Sequence, residues 1–246
     1  MRLIELLDYG KFFHIYNRGT DSCELFTENV NFEYFLHLYD KYISPVADTY
    51  AWVLMRNHFH LLVRIKEEVE IGFLSEYFPS AVAYPDAGYG NSTSKGSLSG
   101  NCSISNTLSG LKPTERVNNA DRGLSSKKYN PSHQFSHLFN AYAQAFNKRY
   151  GRTGSLFEHP FKRKIVTESC YFKNIVIYIH NNPVHHKITE YAKDYPWSSY
   201  LTLISYNPTH LQRDVVMGWF DNETDFKTAH NFPGDITDLE KWLGLY

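Results

Sequence analysis

One stretch, AWVLMRNHFHLLVRIK within Tyr50–Lys66, limits the possible folds more than any other. It reads as a single long strand. Its odd positions are Val53, Met55, Asn57, Phe59, Leu61, Val63 and Ile65, and all but Asn57 are apolar. Side chains alternate across a strand, so this face must be covered by another layer. The even positions are Trp52, Leu54, Arg56, His58, His60, Leu62 and Arg64, a mixed face from which His58 and His60 project together. Two neutral imidazoles placed so can share a divalent cation. A His-x-His pair alone equally describes two partly buried histidines satisfied by hydrogen bonds.

The remaining elements fit around this strand. Phe12–Asn17 is a short aromatic and β-branched run, read as a first strand. In TENVNFEYFLHLYDKYI, Phe32, Phe35, Leu36 and Tyr39 follow helical spacing, and Ser44-Pro45 closes the helix. Ser132 caps a second helix to Tyr150, with Phe135, Leu138, Phe139, Tyr142 and Phe146 on one stripe and Gly151 as its stop. Ser155–Phe157 and Lys164–Thr167 read as short strands. Thr167 then caps a third helix, expected to stop near Asn182 because Pro183 follows. Strands interleaved with helices give an α+β sandwich. Residues 1–200 form its domain and 201–246 a C-terminal extension, in which GWFDNETDFKTAHNF is a short helix with an aromatic face.

Ala87–Lys128 differs in kind. Nine Ser and six Gly fall in its 42 residues, with few large apolar groups. Such a segment buries too little surface to offset its ordering entropy, so it reads as a flexible insertion. No run approaches a membrane span, and Glu5 and Asp8 break the apolar N-terminus, which argues against a signal peptide. Cys23, Cys102 and Cys170 fit neither a disulfide framework nor a Cys-rich zinc site, so a cytoplasmic protein is expected. The net charge of −1 argues against nucleic-acid binding in bulk, but the distribution argues for it. Lys148, Arg149, Arg152, Lys162, Arg163 and Lys164 face only Glu158 between Pro131 and Val166, with Phe146, Tyr150, Phe157 and Phe161 interleaved. Such a strip can track a phosphate backbone while its rings stack unpaired bases; a solvated face is the plainer alternative.

In ESCYFKNIVIYIHNNP, Phe172, Ile175, Val176 and Ile179 sit at core spacing. Tyr178 and Asn182 lie one turn apart on a flank of that stripe. A phenolic oxygen can attack phosphorus, and the ester formed preserves the phosphodiester energy for a later transfer. Its ordinary pKa near 10 implies help from a metal or a neighbour. The His185-His186 pair is a poor metal site, because adjacent side chains diverge on any regular element.

Taken together, these segments resemble a known family. RNHFHLLVRI is similar to the His-hydrophobic-His motif of the single-tyrosine HUH transposases, and YIHNNPVHHKI to their tyrosine helix. HIYNRG, NKRYGRTGSLFEHPFKRKIV and DYPWSSY resemble the REP-associated tyrosine transposase branch, so the likeness spans Phe12 to Tyr200 without the insertion. The resemblance implies a ferredoxin-like α+β sandwich, an antiparallel sheet with helices packed on one face. It makes His58, His60 and Asn182 ligands of Mg²⁺ or Mn²⁺ and Tyr178 the nucleophile. It implies cleavage and strand transfer of single-stranded DNA beside hairpins through a 5′-phosphotyrosine, by a monomer or homodimer at the nucleoid. Arg56 stands where the family commonly has Pro, and the long insertion is not typical of compact members. Two other readings compete. One is a non-catalytic module of the same descent that binds a DNA or RNA hairpin. The other is an unrelated metal hydrolase in which His14 or His180 completes the His-x-His pair.

Overall fold

The computed structural model describes residues 5–72, 128–232, 239 and 241. Its centre is a four-stranded antiparallel sheet in the order β2-β3-β1-β4, built from β1 (Phe12–Arg18), β2 (Ala47–Met55), β3 (His58–Ile65) and β4 (Lys162–Val166). Helix α1 (Asn29–Ile43) joins β1 to β2, and α2 (Pro131–Tyr150) precedes β4. This is the βαββαβ order of a ferredoxin-like sandwich. The insertion reading, Ala87–Lys128, lies outside the described residues except for Lys128.

The expected single strand Tyr50–Lys66 is a hairpin. β2 ends at Met55, Arg56 and Asn57 turn, and β3 begins at His58. No glycine or positive-φ residue marks the turn, so the sequence signal for a tight hairpin is missing. Backbone contacts from the β1–α1 loop hold it instead. Leu25 N–H and Phe26 N–H donate to Arg56 O at 2.6 and 3.0 Å, and Gly19 N–H donates to Asn57 O at 2.8 Å. The faces change accordingly. Met55 pairs with His58 and Val53 with His60, and opposed residues share a face. Val53 and Met55 therefore lie on the histidine side, not with Phe59. The other face of β3 keeps Phe59, Leu61, Val63 and Ile65.

That face carries the first core. α1 supplies Phe32, Phe35, Leu38 and Tyr39, and α2 supplies the expected stripe Phe135, Leu138, Phe139, Tyr142 and Phe146. Asn130, rather than Ser132, caps α2 by accepting from His133 N–H at 3.1 Å, with Pro131 at the first helical position. Gly151 ends it in the left-handed region at φ 62°, where a glycine carries no steric cost.

Helices do not occupy one face only. α1 and α2 do share the Phe59 face, but α3 (Ser169–His185) covers the other, with α4 (Tyr200–Leu203), α5 (Arg213–Met217) and α6 (Glu223–Asn231) behind it. The reason is Ala51, Val53, Met55, Leu62 and Val166, which make the histidine face apolar away from the histidines and so require cover. Ile175, Val176 and Ile179 meet them, fully buried. Glu168 rather than Thr167 stands before the first turn. The helix also does not stop at Asn182: it runs through Pro183 to His185. A proline in the last turn costs one backbone bond, and the exposed carbonyls find new donors, His186 N–H on Asn182 O at 3.0 Å and Ile188 N–H on Pro183 O at 2.8 Å. Ser155–Phe157 is not a strand; only Phe157 bridges, to Gly19. The DYPWSSY segment seals the outer edge of β2, where Leu54 N–H donates to Trp197 O and Ser199 N–H to Trp52 O, both at 2.9 Å. No helix among the described residues is long and apolar enough to cross a membrane.

The C-terminal segment is pinned to α3 by a buried chain of hydrogen bonds. His180, in the middle of α3, lies 2.9 Å through Nδ1 from His230 Nε2 and 2.8 Å through Nε2 from Ser199 Oγ. His230 Nδ1–H donates to Phe226 O at 2.7 Å. Proton direction follows: His230 Nε2 accepts, His180 Nδ1–H donates, and the Ser199 hydroxyl donates to His180 Nε2. Lys173 and Asp225 add an ion pair at 2.7 Å between α3 and α6.

Candidate active site

His58 and His60 open β3, directly after the turn, and α3 crosses above them. The expected residues Tyr178, His58, His60 and Asn182 lie together in one chain. His58 Nε2 is 2.8 Å from Asn182 Oδ1. The rings of His58 and His60 stand 5.3 Å apart at 85°, and the Tyr178 ring is edge-on to His60 at 5.5 Å. Tyr178 is 5% exposed and Asn182 2%. Tyr178 and Asn182 sit one turn apart, which places both on the side of α3 that meets β3.

Burial keeps both imidazoles neutral. His58 falls to about 4, first through desolvation and then through the charges of His186 and Arg18, against the opposing hydrogen bond to Asn182. His60 is held well below the ordinary range by desolvation and by His14, His58 and His186. Neutral imidazole is the form that ligates metals.

The hydrogen bonds of His58 test whether a cation fits. Its Nδ1 lies 2.7 Å from Asn57 Oδ1, and its Nε2 meets Asn182 Oδ1. Both carboxamide oxygens only accept, and a neutral imidazole has one N–H to donate. With that proton on Nε2, His58 donates to Asn182 Oδ1; with it on Nδ1, the bare Nε2 and Asn182 Oδ1 are two acceptors that can both ligate one cation. Two imidazoles and a carboxamide carry no net charge, so they leave a bound cation's charge undiminished.

The third histidine required by a metal-hydrolase reading is missing among the described residues. No group of three or more His, Cys, Asp or Glu is placed to hold a metal there. His14 is turned onto Nδ1 of His60, with its own Nε2 at 3.0 Å, and His180 is occupied by His230 and Ser199.

The six basic residues do not form one strip. Lys162 and Lys164 pair with Tyr16 and His14, so they lie on the histidine face. Lys162 Nζ is 5.9 Å from the Tyr16 ring centre and 3.4 Å from Glu158. Arg163 points the other way, onto the Phe161 ring at 3.9 Å. Lys148, Arg149 and Arg152 gather at the C-terminal end of α2, where Arg149 pairs with Glu28 at 2.9 Å and Arg152 lies over Phe146.

Three further side chains border the expected set. Asn57 was visible only as the one polar residue on an apolar face. His14 enters the sequence reading only as a possible third histidine for the pair, and its contact with His60 crosses from β1 to β3. His186 was set aside as half of an adjacent pair after a proline. Continuation of α3 through Pro183 carries its ring to 4.9 Å from His58, and carries His185 to 6.1 Å from Tyr178.

No family model matches the chain, and no curated protein matches it. Among solved structures, a REP-associated tyrosine transposase bound to a REP hairpin superposes with a TM-score of 0.52 at 13% identity, over 97% of this chain and 94% of that one. The chain thus has the α+β fold of a REP-associated tyrosine transposase.

Proposed function

We propose that this protein cuts and rejoins single-stranded DNA beside a hairpin, through a 5′-phosphotyrosine on Tyr178. The observation that carries the reading is the convergence of His58 and Asn182, 2.8 Å apart, with His60 and the buried Tyr178 ring alongside it. A divalent cation, Mg²⁺ or Mn²⁺, held by His58, His60 and Asn182 would supply Lewis-acid charge at a non-bridging oxygen of the scissile phosphate. Tyr178 Oη attacks phosphorus, the P–O3′ bond breaks, and a 3′-hydroxyl is released. A 3′-hydroxyl from a new junction reverses the step, so no external energy source is needed. Packing against His60 and the α3 core holds the phenol in place, which removes orientational freedom before attack. Lys162, Lys164 and Arg18 border the same face and can neutralise flanking phosphates, while Lys148, Arg149 and Arg152 offer a second contact region at the end of α2. The hairpin partner is proposed from the fold likeness to a transposase bound to a REP hairpin. Every member of the set is present in one chain, which acts as a monomer or homodimer at the nucleoid.

Incubation with a hairpin-bearing single strand and Mn²⁺ tests this. A denaturation-resistant protein–DNA adduct is expected from the wild type and none from Tyr178→Phe, with hairpin affinity retained. Tyr171→Phe, one heptad earlier on α3, should react normally. An adduct from Tyr178→Phe refutes the assignment. Binding without any adduct from the wild type favours the non-catalytic hairpin module.

A further inference from the structure

We propose that His14 is a positioning residue that sets which nitrogen of His60 carries the proton, and so which is left bare toward the site. The inference rests on the reading of His60 as a cation ligand. It starts from the strand register: His14 on β1 is diagonal to His60 on β3, and both project from the face beneath α3. The two rings are nearly parallel, at 3°, with centroids 5.1 Å apart and His14 Nε2 3.0 Å from His60 Nδ1. A hydrogen bond between two neutral imidazoles needs one proton between those nitrogens. If His14 supplies it, the proton of His60 sits on Nε2 and blocks coordination. If His60 supplies it, His60 Nε2 is bare and the proton of His14 sits on Nδ1.

The second arrangement is the one a cation at His60 Nε2 requires. His14 can receive the bond from His60 with its own proton on Nδ1, because no bond at Nδ1 commits that nitrogen to act as an acceptor. Its Nδ1 is buried and meets no hydrogen-bond partner among the described residues. His14 itself has 0% exposure, so water has no access to replace it as acceptor. Asn57 provides the contrast. It plays the same part for His58, at 2.7 Å, but stands in the half-exposed turn where water can take over. Each candidate ligand thus has a partner on Nδ1 that leaves Nε2 for the site, and only the partner of His60 is sealed from solvent. Such outer partners fix ring orientation and tautomer in metal sites, and their loss lowers metal affinity about 10- to 100-fold.

The test uses full-length, DNA-free protein and Mn²⁺, with affinity read by calorimetry or by the free-Mn²⁺ electron spin resonance signal. His14→Phe keeps a ring and removes the acceptor, and it should weaken Mn²⁺ about 10- to 100-fold. His14→Gln, whose amide oxygen reaches close to the Nε2 position, should recover most of that loss, and Asn57→Ala should lose less than His14→Phe. In adduct formation, His14→Phe should raise the Mn²⁺ concentration needed for half-maximal yield while leaving the yield at saturating Mn²⁺ unchanged. A measurement without any variant completes the set: imidazole ¹⁵N spectra of the Mg²⁺-loaded wild type should show His60 protonated at Nδ1. A proton on Nε2 overturns the proposal even if His14→Phe does not fold. Wild-type Mn²⁺ affinity in His14→Phe, with none in His60→Ala, overturns the role of His14 and leaves the transposase reading standing. Failure of the wild type to take up Mn²⁺ brings down both.

Discussion

Acid should undo the joint between α3 and α6, and His230 gives the size of the effect. Its Nδ1–H is committed to Phe226 O, so its Nε2 must stay bare to accept from His180. Protonation would set two N–H groups head to head across 2.9 Å as long as His180 keeps its proton on Nδ1. Burial lowers His230 to about 4, against the opposing pull of backbone carbonyls. The folded pKa lies below the unfolded one, so the stability it contributes is complete above about pH 6.5 and is lost as pH falls through 4. At 1.36 kcal/mol per unit, the loss is about 2 kcal/mol by pH 5 and about 3 kcal/mol by pH 4. Domains of this kind have only about 5–15 kcal/mol in total. The assay is urea unfolding, followed by circular dichroism at pH 7, 5 and 4.5, on the wild type and on His230→Gln. His14, His58, His60 and His180 are also depressed by burial, so the wild-type slope alone does not identify the group. The difference between the two proteins does. His230→Gln should be less stable at pH 7 and lose less between pH 7 and pH 5, by about 2 kcal/mol. Equal losses in both would show that His230 does not titrate in the folded chain as argued.

Three further outcomes follow from the packing and the site. Lys162→Ala and Lys164→Ala should each flatten the salt dependence of single-strand binding by a slope of about 0.7, whereas Arg163→Ala should leave it unchanged and lower the melting temperature instead. Asn182→Ala should cut adduct formation less than His58→Ala at saturating Mn²⁺, since water can supply a neutral oxygen; equal losses would deny Asn182 the weaker role. Phe59→Ala should cost about 3–5 kcal/mol in chemical unfolding, because Phe35, Phe139 and Phe157 surround it and leave it no exposure.

The parts legible in the sequence are those in which local periodicity and the final packing agree. The stripes of α1 and α2, the stop at Gly151 and the apolar side of β3 follow from spacing alone. The hairpin did not show, because Arg56 and Asn57 are held by backbone donors from Gly19, Leu25 and Phe26, distant in sequence. The end of α3 was misjudged for a similar reason: proline forbids one hydrogen bond, and tertiary contacts keep the remaining turn. His58, His60, Tyr178 and Asn182 could be nominated because each pair is close in sequence. Their neighbour His14 could be offered only as a third histidine beside the pair, since its hydrogen bond to His60 exists only once the strands are paired. The basic run misled in the opposite way, because contiguity on an extended strand divides side chains between two faces.

The two-residue turn between β2 and β3 also makes the site depend on parity. His58 and His60 sit first and third after it, alternating with Phe59 and Leu61, which belong to the core. A point substitution changes one side chain and leaves its neighbours where they were. One residue added or removed between Asn57 and Leu61 moves a histidine to the Phe59 side and a core residue to the site, unless a bulge absorbs the change. Length in this segment is therefore constrained as well as identity. Over evolutionary time the segment should resist insertions of an odd number of residues as firmly as replacements of His58, Phe59 or His60, and a library of single-residue insertions across residues 56–61 would read that constraint directly.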